Sequence, residues 1–366
     1  MLKLIRHIKN TLKTQNFFVY SAVFIASLLI YLFTLAPTVT GEDSGELISA
    51  AYDFGVAHPS GYPLWTMLAG VAIRLIPLGT IAFRANLLSS IFSSLSAVVL
   101  CAILIRFFDI KRLTALFGAI CFACGLHLWS QAVITEVYTL HILLACFVLY
   151  FALLWQQSNS DRHLYIAAFI TGLSFTNHHL TVLIVPFLLM LVLLCKPKIL
   201  LKPKTILFCI LFLCIGLLPY FYLIIAAKTN PYMNWGNPDS WQSLLDHVLR
   251  KQYGDESMHM PHTLKRTLKH WQILWQWNRD QYTIWAVALI GIGIAYMAFK
   301  KRFMLVLTAL FFLLHSVIFA ELINFSFDRQ ELYCVRVFML PCYIITAIWL
   351  IFGCNVLGNL IVCKFN

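Results

Sequence analysis

Residues 17–46, FFVYSAVFIASLLIYLFTLAPTVTGEDSGE, place an acidic segment directly after a long apolar one. Residues 17–36 supply about twenty mostly apolar positions, the length that an α-helix needs to cross the hydrocarbon core of a bilayer. The run resembles a signal peptide because basic residues precede it, namely Lys3, Arg6, Lys9 and Lys13. Since acidic residues follow it instead of a small-residue cleavage site, we interpret it as a retained first span.

The composition excludes a water-soluble domain, because hydrophobic residues make up 61% of the 366 positions and charged residues only 11%. The net charge of +12 does not indicate a nucleic-acid partner. The basic residues stand in short clusters between apolar runs, where they orient helices in a membrane. Nearly all cysteines lie in or beside apolar segments, so we expect no disulfide framework.

The basic clusters also decide which apolar segments cross the membrane. Residues 62–77 are apolar but short, and they contain Arg74. Counting them as a span puts the basic cluster 106–112 on the wrong side, so we predict a helix that lies along the outer interface. The five basic clusters are then all cytoplasmic: 3–13, 106–112, 196–204, 300–302 and Lys364. About ten spans remain, near 17–36, 83–105, 113–130, 137–155, 164–177, 180–195, 205–227, 283–299, 303–323 and 337–362.

These patterns predict an all-α polytopic membrane protein with about ten transmembrane helices. We expect one domain, 1–366, with interfacial helices in a first outer loop, 37–82, and a large outer loop, 228–282. Both termini are expected to be cytoplasmic and the polar face periplasmic, in a bacterial inner membrane. The tryptophans of the large loop, Trp235 among them, are more typical of an interfacial belt than of a platform for sugar stacking.

Ionisable residues at membrane depth are candidate functional groups because placing them there is costly. Asp43 and Glu46 have the spacing of a capping box for a helix over 44–54. The alternative is that Asp43 is a general base, with Glu46 as its partner, because a carboxylate at a lipid–water boundary is partly desolvated. Both interpretations stay open from the residues alone.

Candidate anion-binding residues lie near the same outer boundary. Arg329 and Arg336 carry guanidinium groups that bind phosphate bidentately, or they anchor the last helix at the headgroups. Adjacent histidines at a helix end point about 100° apart, so His178 and His179 serve one metal ion poorly. They either hydrogen-bond an anionic headgroup or are plain interfacial histidines. The segment 258–262, MHMPH, mimics a metal-binding loop, but we expect no metal site.

Several motifs together resemble one known family. Residues 38–47, TVTGEDSGEL, 55–64, GVAHPSGYPL, and 83–89, FRANLLS, closely resemble the N-terminal signature of the DUF2723 membrane proteins, which include transmembrane O-mannosyltransferases. Shorter matches follow along most of the chain: EVY at 136–138, NHH at 177–179, NWGNP at 234–238, RKQYG at 250–254 and RVFMLP at 336–341.

The resemblance implies a GT-C glycosyltransferase that transfers a mannose-like hexose from a polyprenyl-phosphate donor to a hydroxyl acceptor, which we expect to be a protein Ser/Thr or a glycan. It matches Asp43 to the catalytic carboxylate of the first outer loop. Arg329 and Arg336, with His178 and His179, are then expected to bind the donor phosphate, and no cofactor or divalent cation is obligatory. The expected substrate cleft is formed by His58, Tyr62, Arg84, Glu136, Tyr138, Asn177 and Trp235.

Two other classes of protein are considered. A transporter or flippase of a lipid-linked saccharide also needs arginines and carboxylates near the headgroups. Transporters commonly show inverted repeats and broken midplane helices, and we find neither pattern in the sequence. A membrane scaffold without catalytic activity is the second alternative, and replacement of Asp43 by Asn would leave a scaffold indifferent.

Overall fold

The computed structural model describes residues 2–158, 160–254 and 261–365, and within these ranges it is helical. The α-helices are α1 (Leu2–Thr34), α2 (Ser44–Asp53), α3 (Pro63–Leu75), α4 (Ile81–Phe107), α5 (Arg112–Ala123), α6 (Leu126–Ala132), α7 (Tyr138–Gln157), α8 (Arg162–Phe175), α9 (Ile184–Cys195), α10 (Pro203–Gly216), α11 (Phe221–Lys228), α12 (Trp241–Val248), α13 (Leu264–Gln281), α14 (Ile284–Lys300), α15 (Arg302–Leu313), α16 (Phe319–Ile323), α17 (Arg329–Val335) and α18 (Leu340–Phe365). The prediction of an all-α membrane protein is confirmed.

Six helices in the described ranges are long and apolar enough to cross a membrane by themselves: Thr14–Thr34, Ile81–Phe107, Tyr138–Gln157, Pro203–Lys228, Arg302–Ile323 and Arg329–Asn359. Two bent pairs, α5 with α6 and α13 with α14, raise this number to at most eight. The remaining predicted spans, 164–177 and 180–195, correspond to the shorter helices α8 and α9, of 14 and 12 residues. A helix lies at each predicted position, but a count of about ten spans is not confirmed.

Two of the basic clusters lie at the end of the helix bundle where the first span starts. The Arg112 guanidinium donates a hydrogen bond to the Asn16 side chain at 2.6 Å, beside the start of the first span. The Lys301 ammonium forms an ion pair with Asp109 at 3.1 Å. The clusters 106–112 and 300–302 therefore share an end with the start of the first span, as the topology prediction requires.

The first outer loop begins at the opposite end of the bundle and contains the two predicted short helices, α2 and α3. Backbone carbonyls around these helices accept hydrogen bonds from the two arginines of this region. Arg74 donates to the carbonyls of Gly70 and Tyr52 at 2.9 and 2.7 Å. Arg84 donates to the Ile73 carbonyl at 2.8 Å, with further bonds to the loop that leads into α4. Both guanidinium groups therefore hold the loop's backbone in place.

A short backbone pairing joins the first outer loop to the large outer loop. The amide of Val56 donates to the Met233 carbonyl at 2.8 Å, and the amide of Trp235 donates to the Val56 carbonyl at 3.0 Å. A Cβ on Gly55 would lie 2.1 Å from the Met233 carbonyl oxygen, so only glycine permits this close approach. The pairing brings residues near 58 beside residues near 250.

Candidate active site

A cavity of about 750 Å³ opens at the end of the bundle that lies opposite the basic clusters. The first outer loop forms one wall, the start of α7 and the turn before α9 form the floor, and α16, α17 and the turn before α18 form the far wall. The lining is polar near the first outer loop and more apolar near α16. Its polar members are Glu42, Asp43, His58, Tyr62, Glu136, Tyr138, His178, His179, Arg250, Gln330, Glu331 and Tyr333.

Asp43 precedes the first residue of α2, but its side chain makes no capping hydrogen bond. The capping-box interpretation is therefore wrong for the structure, and the carboxylate is free to face the cavity, with half of the side chain exposed. The Asp43 backbone amide donates to Glu136 at 3.1 Å, which fixes the start of the helix. Partial burial raises the pKa of Asp43, and the charges of Glu46 and Glu42 raise it further against the opposing effects of His58 and Arg250.

Glu46 binds His58 instead of completing a cap. Both of its carboxylate oxygens lie 3.1 Å from His58 Nδ1, and the backbone amide of His58 also donates to it. Burial alone would raise the pKa of Glu46, but the hydrogen bonds from the ring and backbone of His58 outweigh it and lower that pKa. Glu46 therefore remains ionised. The other ring nitrogen, His58 Nε2, lies 2.7 Å from the Tyr62 hydroxyl and 3.8 Å from Asp43 Oδ2.

Glu136 is almost fully buried behind Asp43. Burial raises the pKa of its carboxyl well above the usual value, and the nearby charges of Asp43 and Glu42 raise it further. Glu136 therefore takes up a proton more readily than an exposed glutamate, and one of its oxygens accepts the hydrogen bond from the Asp43 backbone amide.

Glu42 connects the first outer loop to α17. It has a left-handed φ of 61°, an uncommon conformation for a residue with a side chain. The Tyr333 hydroxyl donates to one carboxylate oxygen at 2.5 Å, and the Gln131 amide donates to the other at 3.4 Å. The Arg336 guanidinium stacks 4.1 Å from the centre of the Tyr333 ring. Arg336 thus contacts Tyr333, a lining residue, and is not itself in the lining.

Arg250, His178 and His179 lie near one another in the cavity lining, and Arg250 carries the positive charge of this group. Arg250 is the only Lys or Arg among the described lining residues, and it donates to the Pro59 carbonyl at 2.9 Å. His178 stacks on Tyr62 with ring centres 6.0 Å apart. Burial lowers the pKa of His178 well below its usual value, so this ring is neutral. Sequence reasoning did not select Arg250, and its only signal was the motif RKQYG at 250–254.

Seven predicted site residues line the cavity: Asp43, His58, Tyr62, Glu136, Tyr138, His178 and His179. Glu46 stands behind His58. The other predicted residues lie outside the lining. Arg329 is exposed at the start of α17, and Arg336 lies against Tyr333. Arg84 holds loop carbonyls, Asn177 is buried and donates to the Val137 carbonyl, and the Trp235 indole donates to Gln252.

Asp43, Glu46 and His58 form the one group of three potential metal ligands in the described ranges, with donor atoms within 4.8 Å of one another. The Glu46 carboxylate and His58 Nδ1 are already hydrogen-bonded to each other, and Nε2 contacts Tyr62. We therefore assign the trio to a hydrogen-bond network. Most of the segment 258–262 lies outside the described residues.

An apolar groove leaves the cavity toward the side of the helix bundle. It starts as a space of about 600 Å³ that shares His179 and Val182 with the cavity. It then meets, at Leu213, an apolar space of about 300 Å³ between α8, α9 and α10. The outer residues of α10, such as Leu207, are exposed, as expected of a surface that faces lipid. The polar cavity thus lies directly beside an apolar groove, with His179 and Val182 lining both.

Comparison with known proteins identifies similar sequences. The family described as "Protein O-mannosyl-transferase TMEM260 N-terminal domain" matches residues 43–200. Protein O-mannosyl-transferase TMEM260 of Mus musculus is 32% identical over 251 residues, covering 65% of this chain and 34% of that protein. The Dictyostelium discoideum protein of the same description is 29% identical over 249 residues, covering 63% and 30%. The chain thus matches about a third of the length of these relatives. The name DUF2723 stays a prediction.

Solved structures of ArnT from Cupriavidus metallidurans have the same fold. The structure bound to undecaprenyl phosphate aligns with a TM-score of 0.58 at 14% identity, covering 92% of this chain and 60% of that one. The apo structure aligns with a TM-score of 0.60, covering 94% and 60%. At this identity the likeness establishes the fold, and the predicted GT-C-like architecture is confirmed.

Proposed function

We propose that this chain is a GT-C glycosyltransferase that transfers a mannose-like hexose from a polyprenyl-phosphate donor to a hydroxyl group, with a protein Ser/Thr as the preferred acceptor. The relatives that it resembles are described as protein O-mannosyl-transferases, and the ArnT structure of the same fold binds undecaprenyl phosphate. The observation that carries the proposal is one cavity that holds a half-exposed carboxylate, Asp43, and a guanidinium, Arg250, and lies beside an apolar groove.

The chemistry follows from the two sides of the cavity. Asp43 takes the proton of the acceptor hydroxyl, and the acceptor oxygen attacks the anomeric carbon of the donor sugar. The bond between this carbon and the phosphate oxygen breaks, and the phosphate leaves with the electron pair. Arg250 stabilises the charge that develops on the phosphate, since a guanidinium binds phosphate oxygens bidentately. His178 and His179 add hydrogen-bonding groups on the same side.

The apolar groove suits the hydrocarbon tail of the donor. A tail that lies along Val182 and Leu213 would place its phosphate next to His179, because His179 lines both the groove and the polar cavity. Arg336 is proposed to act through Tyr333 and Glu42, on the wall opposite Arg250. Arg329, which is exposed, remains a proposed contact for the donor or the headgroups.

We also propose that the cavity faces the non-cytoplasmic side of the membrane, with both termini cytoplasmic. Cys334 tests this placement because it is exposed and lines the cavity. A membrane-impermeant maleimide applied to intact cells should label the wild type, and Cys334→Ser should lose most of this labelling. Labelling of Cys334 only after the membrane is opened would place the cavity on the cytoplasmic side and contradict the proposal.

The decisive experiment is a transfer assay. Purified protein is incubated with polyprenyl-phosphate mannose and a panel of Ser/Thr peptides, and the peptides are examined by mass spectrometry. We expect a mass increase of one hexose on a subset of peptides. If no peptide gains a hexose and the protein instead moves the lipid-linked sugar between the leaflets of a vesicle, the transporter alternative replaces the enzyme.

A further inference from the structure

The contacts of His58 distinguish its two ring nitrogens. Nδ1 lies between the two oxygens of Glu46, and an ionised carboxylate only accepts hydrogen bonds, so Nδ1 carries a proton. This leaves Nε2 as the nitrogen that can gain a proton. Nε2 faces the cavity, 2.7 Å from the Tyr62 hydroxyl and 3.8 Å from Asp43 Oδ2. The arrangement is that of a histidine oriented by one carboxylate and presented to another.

We propose that His58 is the second carrier of the acceptor's proton, and that Glu46 is the residue that positions it. This inference rests on the proposed transfer function. The acceptor O–H bond breaks and its proton binds Asp43, while the acceptor oxygen gains the sugar and the phosphate leaves with its electrons. Asp43 then passes the proton to His58 Nε2, which becomes an imidazolium held between two carboxylates, and water later removes the proton.

The geometry allows this step. The distance of 3.8 Å between Nε2 and Asp43 is longer than a hydrogen bond, but catalytic hydrogen bonds are often long without substrate and shorten when it binds. The Tyr62 hydroxyl can donate to Nε2 before the step and accept from it afterwards, because a hydroxyl does both. Asp43 is thereby returned to its ionised form in the cavity.

The other ionisable groups near His58 do not provide the negative charge that Glu46 places beside its ring. His178 and His247 of α12 lie within electrostatic reach of His58. Burial lowers the pKa of His247 to about 4 and lowers that of His178 well below its usual value, so both are neutral near pH 7. Arg250, a permanent positive charge, lowers the pKa of Asp43. Glu46 is the carboxylate in hydrogen-bonding contact with the His58 ring, so its charge is the one to remove.

The pH dependence of transfer tests the proposal. Glu46→Gln keeps a hydrogen-bond acceptor for Nδ1 but removes the charge that stabilises the imidazolium. Without this charge the imidazole is a weaker base, so the midpoint of the acid limb of the kcat profile should move to lower pH. The maximal kcat should also fall, because the proton acceptor is weaker. Asp53→Asn is the matched control, since Asp53 is an exposed carboxylate of the same helix outside the cavity lining.

Replacement of His58 tests whether Glu46 acts on transfer through His58 or directly on Asp43. His58→Gln should lower kcat by about 100-fold. In that background, Glu46→Gln should move the acid midpoint less than half as far as it does with His58 present. An equal shift in both backgrounds would mean that Glu46 acts on Asp43 directly, and the proposal would be overturned. Exogenous imidazole should restore part of the activity of His58→Ala.

A structural measurement keeps the inference separate from the proposed function. Nitrogen-15 NMR of histidine-labelled protein should show a proton on Nδ1 of His58, and Glu46→Gln should lower the pH at which the ring takes its second proton. A bare Nδ1, or a titration unaffected by Glu46→Gln, would overturn the role of His58 whether or not transfer is observed. A wild-type protein that transfers no hexose, with this NMR behaviour intact, would instead refute the proposed function.

Discussion

Asp43→Asn should lower the rate of hexose transfer by about 10²–10⁴-fold, the contribution expected of a positioned general base. Asn is nearly isosteric with Asp but cannot accept the acceptor's proton at neutral pH. The side chain makes no capping bond, so its replacement should leave α2 and the fold intact. The measurement is the initial rate of hexose transfer at saturating donor, together with donor binding by the purified protein. Donor affinity should change little, because the phosphate lies on the side of Arg250.

Asp53→Asn is the control for this variant and should transfer at the wild-type rate. A second check is the pH profile of His58→Gln, in which the imidazole no longer contributes to the acid limb. Because partial burial raises the pKa of Asp43, the active ionised form should be lost at a higher pH than for an ordinary aspartate as the solution is acidified. Full activity in Asp43→Asn would exclude this residue as the base and direct attention to Glu42, the neighbouring carboxylate in the lining.

Arg250→Ala should lower transfer by about 10²–10³-fold, as expected for the loss of one group that stabilises transition-state charge. Arg250→Lys should recover only part of the loss, since an ammonium lacks the forked geometry that binds two phosphate oxygens. The measurements are kcat and the affinity for polyprenyl phosphate alone, and both should worsen. Lys251→Ala is the matched control, because Lys251 is exposed and forms an ion pair with Asp246.

The same experiment distinguishes the two proposed phosphate sites. Arg336→Ala should affect transfer less than Arg250→Ala, because Tyr333 stands between Arg336 and the cavity. If Arg336→Ala weakens the binding of polyprenyl phosphate more strongly than Arg250→Ala does, the donor lies against α17, and the assignment of Arg250 must be abandoned.

Local sequence patterns predicted much of the fold because membrane helices form from contiguous apolar residues. The short helix α3 was anticipated for the same reason, whereas α2 was anticipated from the capping-box spacing of Asp43 and Glu46, although that cap does not form. The number of spans was harder to predict than the position of the helices, because α8 has only 14 residues and α9 only 12. Length in the sequence does not reveal which short helices are completed by packing against longer neighbours.

The sequence indicated candidate site residues that lie close to a predicted span. It did not indicate the residue that reaches the cavity through a contact between distant segments. Asp43 could be selected because it follows the first span directly. Glu46 forms a hydrogen bond with His58, which lies beyond the end of α2. This bond forms in place of the helix cap that the spacing of Asp43 and Glu46 suggested. Arg250 reaches the cavity only because the backbone pairing of Val56 with the large loop brings distant segments together. Hydrophobic periodicity carries no information about such a pairing.

The apolar groove has a consequence for how the donor and the acceptor enter and leave the site. A hydrophobic donor can arrive and its spent carrier can depart within the bilayer, past Val182 and Leu213, without entering water. A hydrophilic acceptor can enter beside Tyr333, a lining residue whose side chain is exposed. The donor and the acceptor therefore enter by separate routes. A long acceptor chain could stay bound in the cavity while one polyprenyl-phosphate carrier leaves and the next one binds.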